Sequence, residues 1–120
     1  MNWKADYPNL SEKRLAGEIR IMRNNFPHAN LKLSPEGRLF WLLNITVSKG
    51  TFLVSIVYPP LYPAIYEPRC YLIDPPASKA KHLPHLMNGD QLCFYLSKWD
   101  SNFTAASTIT WIARWIKEFY

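Results

Sequence analysis

The sequence predicts an α+β fold, and three observations carry that reading. Residues 10–26 set Leu15, Ile19, Met22 and Phe26 at helical spacing, giving one apolar face. Two long apolar runs, Leu39 to Val47 and Thr51 to Tyr58, flank a Gly-containing turn at Ser48-Lys-Gly, the pattern of an antiparallel hairpin. The stretch from Thr104 to Phe119 repeats helical spacing with a wider apolar stripe. Helix, antiparallel strands, irregular segment and helix, in that order, segregate the two kinds of element along the chain.

Each element has its own local signals. Asn9 or Ser11 can cap the first helix, and Asn9 with Glu12 three residues on resembles a capping box. Asn24-Asn25 and Pro27 end it. Lys13, Arg14, Arg20 and Arg23 fall off the apolar face; they read either as a solvated surface or as a docking surface for an acidic partner. Leu31 to Leu33 is a short strand and Pro35-Glu-Gly-Arg a turn. Arg69 to Asp74 is a fourth strand, and Cys70 within it reads as structural. Between Tyr58 and Pro68 runs Tyr-Pro-Pro-Leu-Tyr-Pro-Ala-Ile-Tyr-Glu-Pro. Prolines fix φ and remove donors, so this link is extended and leaves the ladder. In the last helix Ile109, Ile112, Ala113, Ile116 and Tyr120 form one stripe, with Trp111, Trp115 and Phe119 beside it. So wide an apolar surface calls for burial on more than one side, and its aromatic margin suits core or a partner surface.

With 120 residues, 48% of them apolar, residues 1–120 are expected to form one domain with a real core. No apolar run is long enough to span a bilayer, and the N-terminal residues lack a signal-peptide core; a cytoplasmic location with free thiols is expected. The net charge of +5 is spread thinly. It permits nucleic-acid binding, but no basic cluster demands it, and an acidic protein surface is an equally good partner. No metal or other cofactor is expected. Cys70 and Cys93 lie far apart, the histidines are unpaired in spacing, and no tetrahedral zinc signature results. A deaminase-type His-x-Glu is absent.

The chemistry-bearing residues gather in His82 to Trp99. If Gln91 to Leu96 is a short extended segment, Leu92, Phe94 and Leu96 share one face and Gln91, Cys93 and Tyr95 the other. Asn88-Gly89-Asp90 is a turn signal directly upstream. A thiol on the polar face of a loop-edge segment, with His82 and His85 before it, is a candidate nucleophile; a buried structural cysteine is the plain alternative.

Taken together these residues resemble the ubiquitin-conjugating enzymes. Tyr58-Pro59, Tyr62-Pro63 and Pro68 look like the spaced Tyr-Pro elements that follow the third strand of that family. His82-Leu-Pro84-His85, Asn88-Gly89, Leu92-Cys93 and Trp99 look like its active-site stretch. Trp111-Ile-Ala-Arg-Trp115 resembles the following helix in the bacterial branch found in anti-phage CBASS operons. The resemblance implies a UBC-like fold: an N-terminal helix, a four-stranded antiparallel sheet, an irregular active-site segment and a C-terminal helix. It implies that Cys93 accepts the C-terminal glycine of a protein modifier as a thioester and passes it to an amine. In the bacterial systems the modifier can be a nucleotidyltransferase (CD-NTase), and some systems add an activating enzyme.

Two departures qualify the resemblance. The eukaryotic pattern has His-Pro-Asn before the cysteine, its Asn supporting the oxyanion; here Pro84 takes that position, so His85 or Asn88 must serve or the role is absent. The residues that carry the resemblance end with the helix that closes at Tyr120, so surfaces that the further C-terminal helices of the eukaryotic enzymes supply are not expected here. A non-catalytic binding module on the same fold is the competing reading, and the retained Cys93 speaks against it. Asp90 and Asp100 could orient an amine, but turn and solvated roles suit them better. Lys79, Lys81 and Lys98 read as a solvated rim, with acceptance of the modifier by one of them as the alternative.

Overall fold

Alternation of buried and less buried residues along the longest strand sets how the chain packs. The computed structural model describes residues 3–64, 66–79, 91–92 and 99–120. Its principal elements are α1 (Glu12–Asn25), β1 (Asn30–Leu33), β2 (Leu39–Val47), β3 (Gly50–Val57), β4 (Arg69–Asp74) and α2 (Ala105–Phe119). The four strands form one antiparallel sheet in the order β1-β2-β3-β4, so spatial order equals chain order. This is the α+β arrangement, with an N-terminal helix, a four-stranded antiparallel sheet and a C-terminal helix, expected from the sequence.

On β2, Leu39, Trp41, Leu43 and Ile45 are buried, with polar Asn44 and Thr46 between and after them exposed. Register sets Trp41 opposite Ile56, Leu43 opposite Val54 and Ile45 opposite Phe52, so the same face of β3 is apolar. Cys70 and Leu72 extend that face onto β4. Ile109, Ile112, Trp115 and Ile116 of α2 and Leu15 and Met22 of α1 join the same core. Each side chain of this size contributes roughly 1.5–3 kcal/mol when fully buried.

Local details differ from the sequence reading. Helix α1 begins after Ser11, whose Oγ accepts the Arg14 N–H at 3.0 Å. Asn9 lies outside the cap, and Glu12 pairs with Lys4 instead of closing a capping box. The β2–β3 loop has two residues, Ser48 and Lys49, because Gly50 already pairs with Val47. Gly50 has φ 132°, a conformation that L side chains rarely adopt, which explains glycine at the start of the strand. The short loop also carries Lys49 to the end of α2, where Nζ donates to the Lys117 carbonyl at 2.8 Å. On β4 the register skips Ile73: Leu53 pairs with Asp74 and Val54 with Leu72. Among the described residues no helix is long and apolar enough to cross a membrane.

Candidate active site

The proline-rich link after β3 is ordered by its tyrosines. The Tyr62 N–H donates to Pro59 O and the Ala64 N–H to Leu61 O, both at 3.0 Å, so residues 59–64 fold into consecutive turns and are not the extended link expected from the prolines. The Tyr58 and Tyr62 rings are buried with centroids 4.6 Å apart. Tyr7 braces the entry to this link: its hydroxyl donates to Tyr58 O at 2.8 Å and accepts the Leu39 N–H at 2.7 Å.

Both tyrosine hydroxyls converge on Glu18 of α1, which is only 2% exposed. Oε1 accepts from Tyr58 Oη and from the Ala105 N–H, each at 2.8 Å. Oε2 accepts from Tyr62 Oη and, at 3.0 Å, from Arg14 Nε. Four donors on four lone-pair sites is the complement an ionised carboxyl requires. Tyr58 Oη in turn accepts Trp41 Nε1–H at 2.8 Å. Burial, reinforced by the Glu18 charge, pushes both tyrosine hydroxyls above their ordinary pKa, so both remain protonated donors.

The four basic residues of the first helix do not form one set. Arg14 is turned inward: besides Glu18 it donates to Tyr62 Oη at 3.2 Å, to Ser101 O at 2.5 Å and to Phe103 O. Its guanidinium carbon also lies 5.6 Å from the Tyr62 ring centroid. Lys13, Arg20 and Arg23 stay exposed. An open groove of about 370 Å³ is lined by Ser11, Lys13, Gly17, Ile21 and Thr104 together with the Arg14–Glu18 pair; Arg20 and Arg23 are not part of its lining.

Two fixed points bracket the stretch that carries Cys93. Upstream, Gln91 bridges to Tyr71, and the Leu92 N–H donates to Cys70 O at 2.8 Å, so this dipeptide lies against the free side of β4. Leu92 is 1% exposed, in keeping with the inward face assigned to it from alternation. Downstream, Trp99 Nε1–H donates to Pro63 O at 3.1 Å, and its ring meets Tyr62 at 5.5 Å and Phe103 at 5.9 Å. Asp100 is a turn residue here: Oδ1 accepts the Asn102 N–H at 2.8 Å. Cys93, His85 and Asn88 lie outside the described residues, as do His82, Pro84, Asp90, Lys81 and Lys98. Lys79 is exposed.

Cys70 is fully buried on the core face of β4. Burial chiefly, with the Glu67 charge adding to it, pushes its thiol up to about 12. A group so placed stays a thiol at neutral pH and is shut off from a macromolecular carbonyl. Among the described residues no three His, Cys, Asp or Glu side chains come together in a way that could hold a metal ion.

A family model described as type II CBASS E2 protein matches residues 18–120. The chain belongs to the type II CBASS E2 family. Among curated proteins and among solved structures, no match was found. Membership gives the chain an E2-like role in CBASS anti-phage systems, and the kind of activity to expect is that of a conjugating enzyme.

The matched span of this type II CBASS E2 chain runs from Glu18 through both bracketing points to the end of α2. Glu18 is the main residue that sequence reasoning passed over. The one available signal was its position: Leu15, Glu18 and Met22 share a helical face, and a lone carboxyl on an apolar stripe needs buried donors. Thr108, also buried, lies on the inner face of α2 and donates to Ala105 O at 2.7 Å.

Proposed function

We propose that Cys93 carries the C-terminal glycine of a protein modifier as a thioester and passes it to an amine, in cytoplasmic antiviral defence. The observation that best supports this is that the residues on either side of the Cys93 stretch are tied to the fold, the Leu92 N–H to Cys70 O of β4 and Trp99 Nε1–H to Pro63 O. Such support suits acyl transfer, where a misplaced nucleophile is costly. The Cys93 thiolate attacks the activated glycine carbonyl, the activating group leaves, and the thioester forms. The nitrogen of an acceptor then attacks the same carbon, and the sulfur departs. A thioester is already activated, so no tight Cys–His pair is needed. His85 or Asn88 supplies the donor to the oxyanion in place of the Asn that Pro84 displaces.

In this reading the modifier is a CD-NTase from the same operon, delivered by an activating enzyme where one is encoded. Lys13, which lines the α1 groove, and the exposed Arg20 and Arg23 of the same helix meet the acidic surface of the delivering or receiving protein. Arg14 is left out of that surface, since its guanidinium is committed to Glu18, Tyr62 and two carbonyls.

Co-expression with the operon partners tests the proposal. A covalent adduct that thiol reagents cleave is expected, lost in Cys93→Ala and kept in Cys70→Ala. The reverse pattern, or an adduct indifferent to Cys93, would sink it. In single-turnover loading, replacing the oxyanion donor by Ala should cost on the order of a hundred- to a thousand-fold in rate.

A further inference from the structure

The core occupies only one face of the sheet. Leu15 and Met22 of α1 and Ile109 and Ile112 of α2 join Trp41, Leu43, Val54 and Ile56 in one cluster. The residues between these on β2 and β3 point to the other side. Register sets them in straight rows. Lys32 pairs with Phe40, Phe40 with Val57, and Val57 with Arg69. Two residues along, Asn30 pairs with Leu42, Leu42 with Ser55, and Ser55 with Tyr71. Phe40, Leu42, Leu53, Val57 and Tyr71 are partly exposed, and none of them packs against the core cluster. Ile73, which the β4 register skips, is 45% exposed beyond Tyr71.

The first of these rows is apolar in the middle and cationic at both ends. Lys32 and Arg69 are exposed, and among the described residues neither has an ion pair. Neighbouring strands stand about 4.8 Å apart, so the backbone positions of the two cations lie about 14 Å apart. An exposed apolar patch with a charged rim is the mark of a protein interaction site. Two unpaired cations call for two carboxylates, and Phe40 and Val57 between them for an aliphatic side chain. An extended chain rises about 3.4 Å per residue and turns alternate residues to one side, so its residues i, i+2 and i+4 span about 14 Å on a single face. A nucleic acid finds no continuous basic path along this row, whose middle is apolar. A second copy of the chain would bring the same two cations, with only Asp74 among the paired positions to meet them.

We propose that the outer face of the sheet docks an acidic segment of a partner protein, held extended, in which an aliphatic residue stands between two carboxylates at alternate positions. The aliphatic side chain seats between Phe40 and Val57, and the carboxylates pair with Lys32 and Arg69. Helix α1 joins the core from the other side of the sheet, so its exposed Lys13, Arg20 and Arg23 belong to a separate surface, and the two can be occupied together. A patch this small suits a weak, readily reversed association. Nothing in it depends on which residue carries the acyl group.

NMR titration of the isotopically labelled full chain with the peptide Gly-Glu-Ser-Leu-Ser-Glu-Gly tests this. Amide shifts are expected at Lys32, Phe40, Val57 and Arg69, and affinity should fall as salt is raised. Replacing the peptide's Leu by Ala should weaken binding at least about five-fold. The double variant Lys32→Glu/Arg69→Glu, changed at two exposed positions, should bind the peptide at least about three-fold more weakly. It should also bind the reversed peptide Gly-Lys-Ser-Leu-Ser-Lys-Gly better than wild type does, an exchange of preference that a merely structural effect would not give. No shift at about 5 mM peptide, shifts confined to α1, or the absence of that exchange would overturn the proposal. So would a concentration-dependent dimer abolished by Leu42→Glu, which would assign the face to a second copy, or tighter binding of a short single-stranded DNA at the same amides.

Discussion

Glu18 Oε1 accepts the backbone N–H of Ala105 at 2.8 Å, joining the first helix to the first residue of the last. The opening amides of a helix have no partner within it, and its N-terminus carries partial positive charge. A buried carboxyl placed there answers both needs. The Thr104 N–H, one residue earlier, is taken by Ser107 Oγ at 3.0 Å. The position of α2 therefore depends on a residue far away in sequence as well as on its own cap.

Glu18→Gln should destabilise the fold by about 3–5 kcal/mol, the range for breaking a buried charged pair by removing one partner. The new amide nitrogen would face donors from Arg14 or the tyrosines where the carboxylate offered an acceptor. Urea unfolding measures this directly. A loss under about 1 kcal/mol would mean that the network tolerates a donor at its centre.

Periodicity made much of this fold legible. Leu15 and Met22 and the Ile109, Ile112, Ile116 stripe point inward as their spacing requires, whereas Leu39 to Val47 reads as a continuous apolar run and shows its alternation of buried positions only in the fold. What the spacing could not show is which charges would be internal. Arg14 and Lys13 are neighbours with the same apparent surface role, yet only Arg14 reaches Ser101 O and Phe103 O, across a separation in sequence of nearly ninety residues. The Glu18 partners Tyr58 and Tyr62 sit in a proline-rich link whose path no local rule specifies. At the candidate site, alternation placed Leu92 inward, as found; Cys93, His85 and Asn88 lie beyond the described residues.

Stability should fall as pH rises above about 9, and Cys70 should be responsible for the first part of the fall. Its folded-state pKa is raised from 9.0 to about 12, so between those values the unfolded chain holds fewer protons than the native one. The sign of the slope is then negative, up to about 1.4 kcal/mol per pH unit for one group. The stabilising difference is fully present below pH 9 and is lost as pH climbs toward 12. Tyr58 and Tyr62, also raised, add in the same direction above their ordinary value of 10.0. Unfolding between pH 9 and 10 should show a flatter slope in Cys70→Ala; an unchanged slope would contradict the assignment.

Trp99→Phe should cost about 1 kcal/mol by losing the bond to Pro63 O while keeping ring packing against Tyr62 and Phe103. Because Trp99 is the downstream abutment of the candidate site, loading of Cys93 should slow by more than the stability change implies. Equal loading rates in wild type and Trp99→Phe would remove Trp99 from the support of that site.

Reversing Lys13 and Arg20 to Glu should weaken association with the partner protein, more strongly at low ionic strength, and leave the melting temperature unchanged. Arg14→Glu is the contrasting variant: it should lower the melting temperature, because it sets two carboxyls against each other at Glu18. Titration calorimetry at two salt concentrations checks the first expectation. Unchanged affinity in a folded Lys13→Glu/Arg20→Glu protein would reduce that face to a solubilising surface.

The identity of spatial and chain order in the sheet bears on the timing of assembly. Each strand finds its partner next along the chain, so the β1-to-β4 meander closes only short loops as it forms, and such contacts are quick to make. The clasp between Glu18 and Ala105 must instead close a loop of 87 residues. It therefore belongs to the late stage of folding, and its strength is felt mainly as a brake on unfolding. A chain built this way can complete its sheet early and still set its final helix, and with it the support for Trp99, in a separate concluding step.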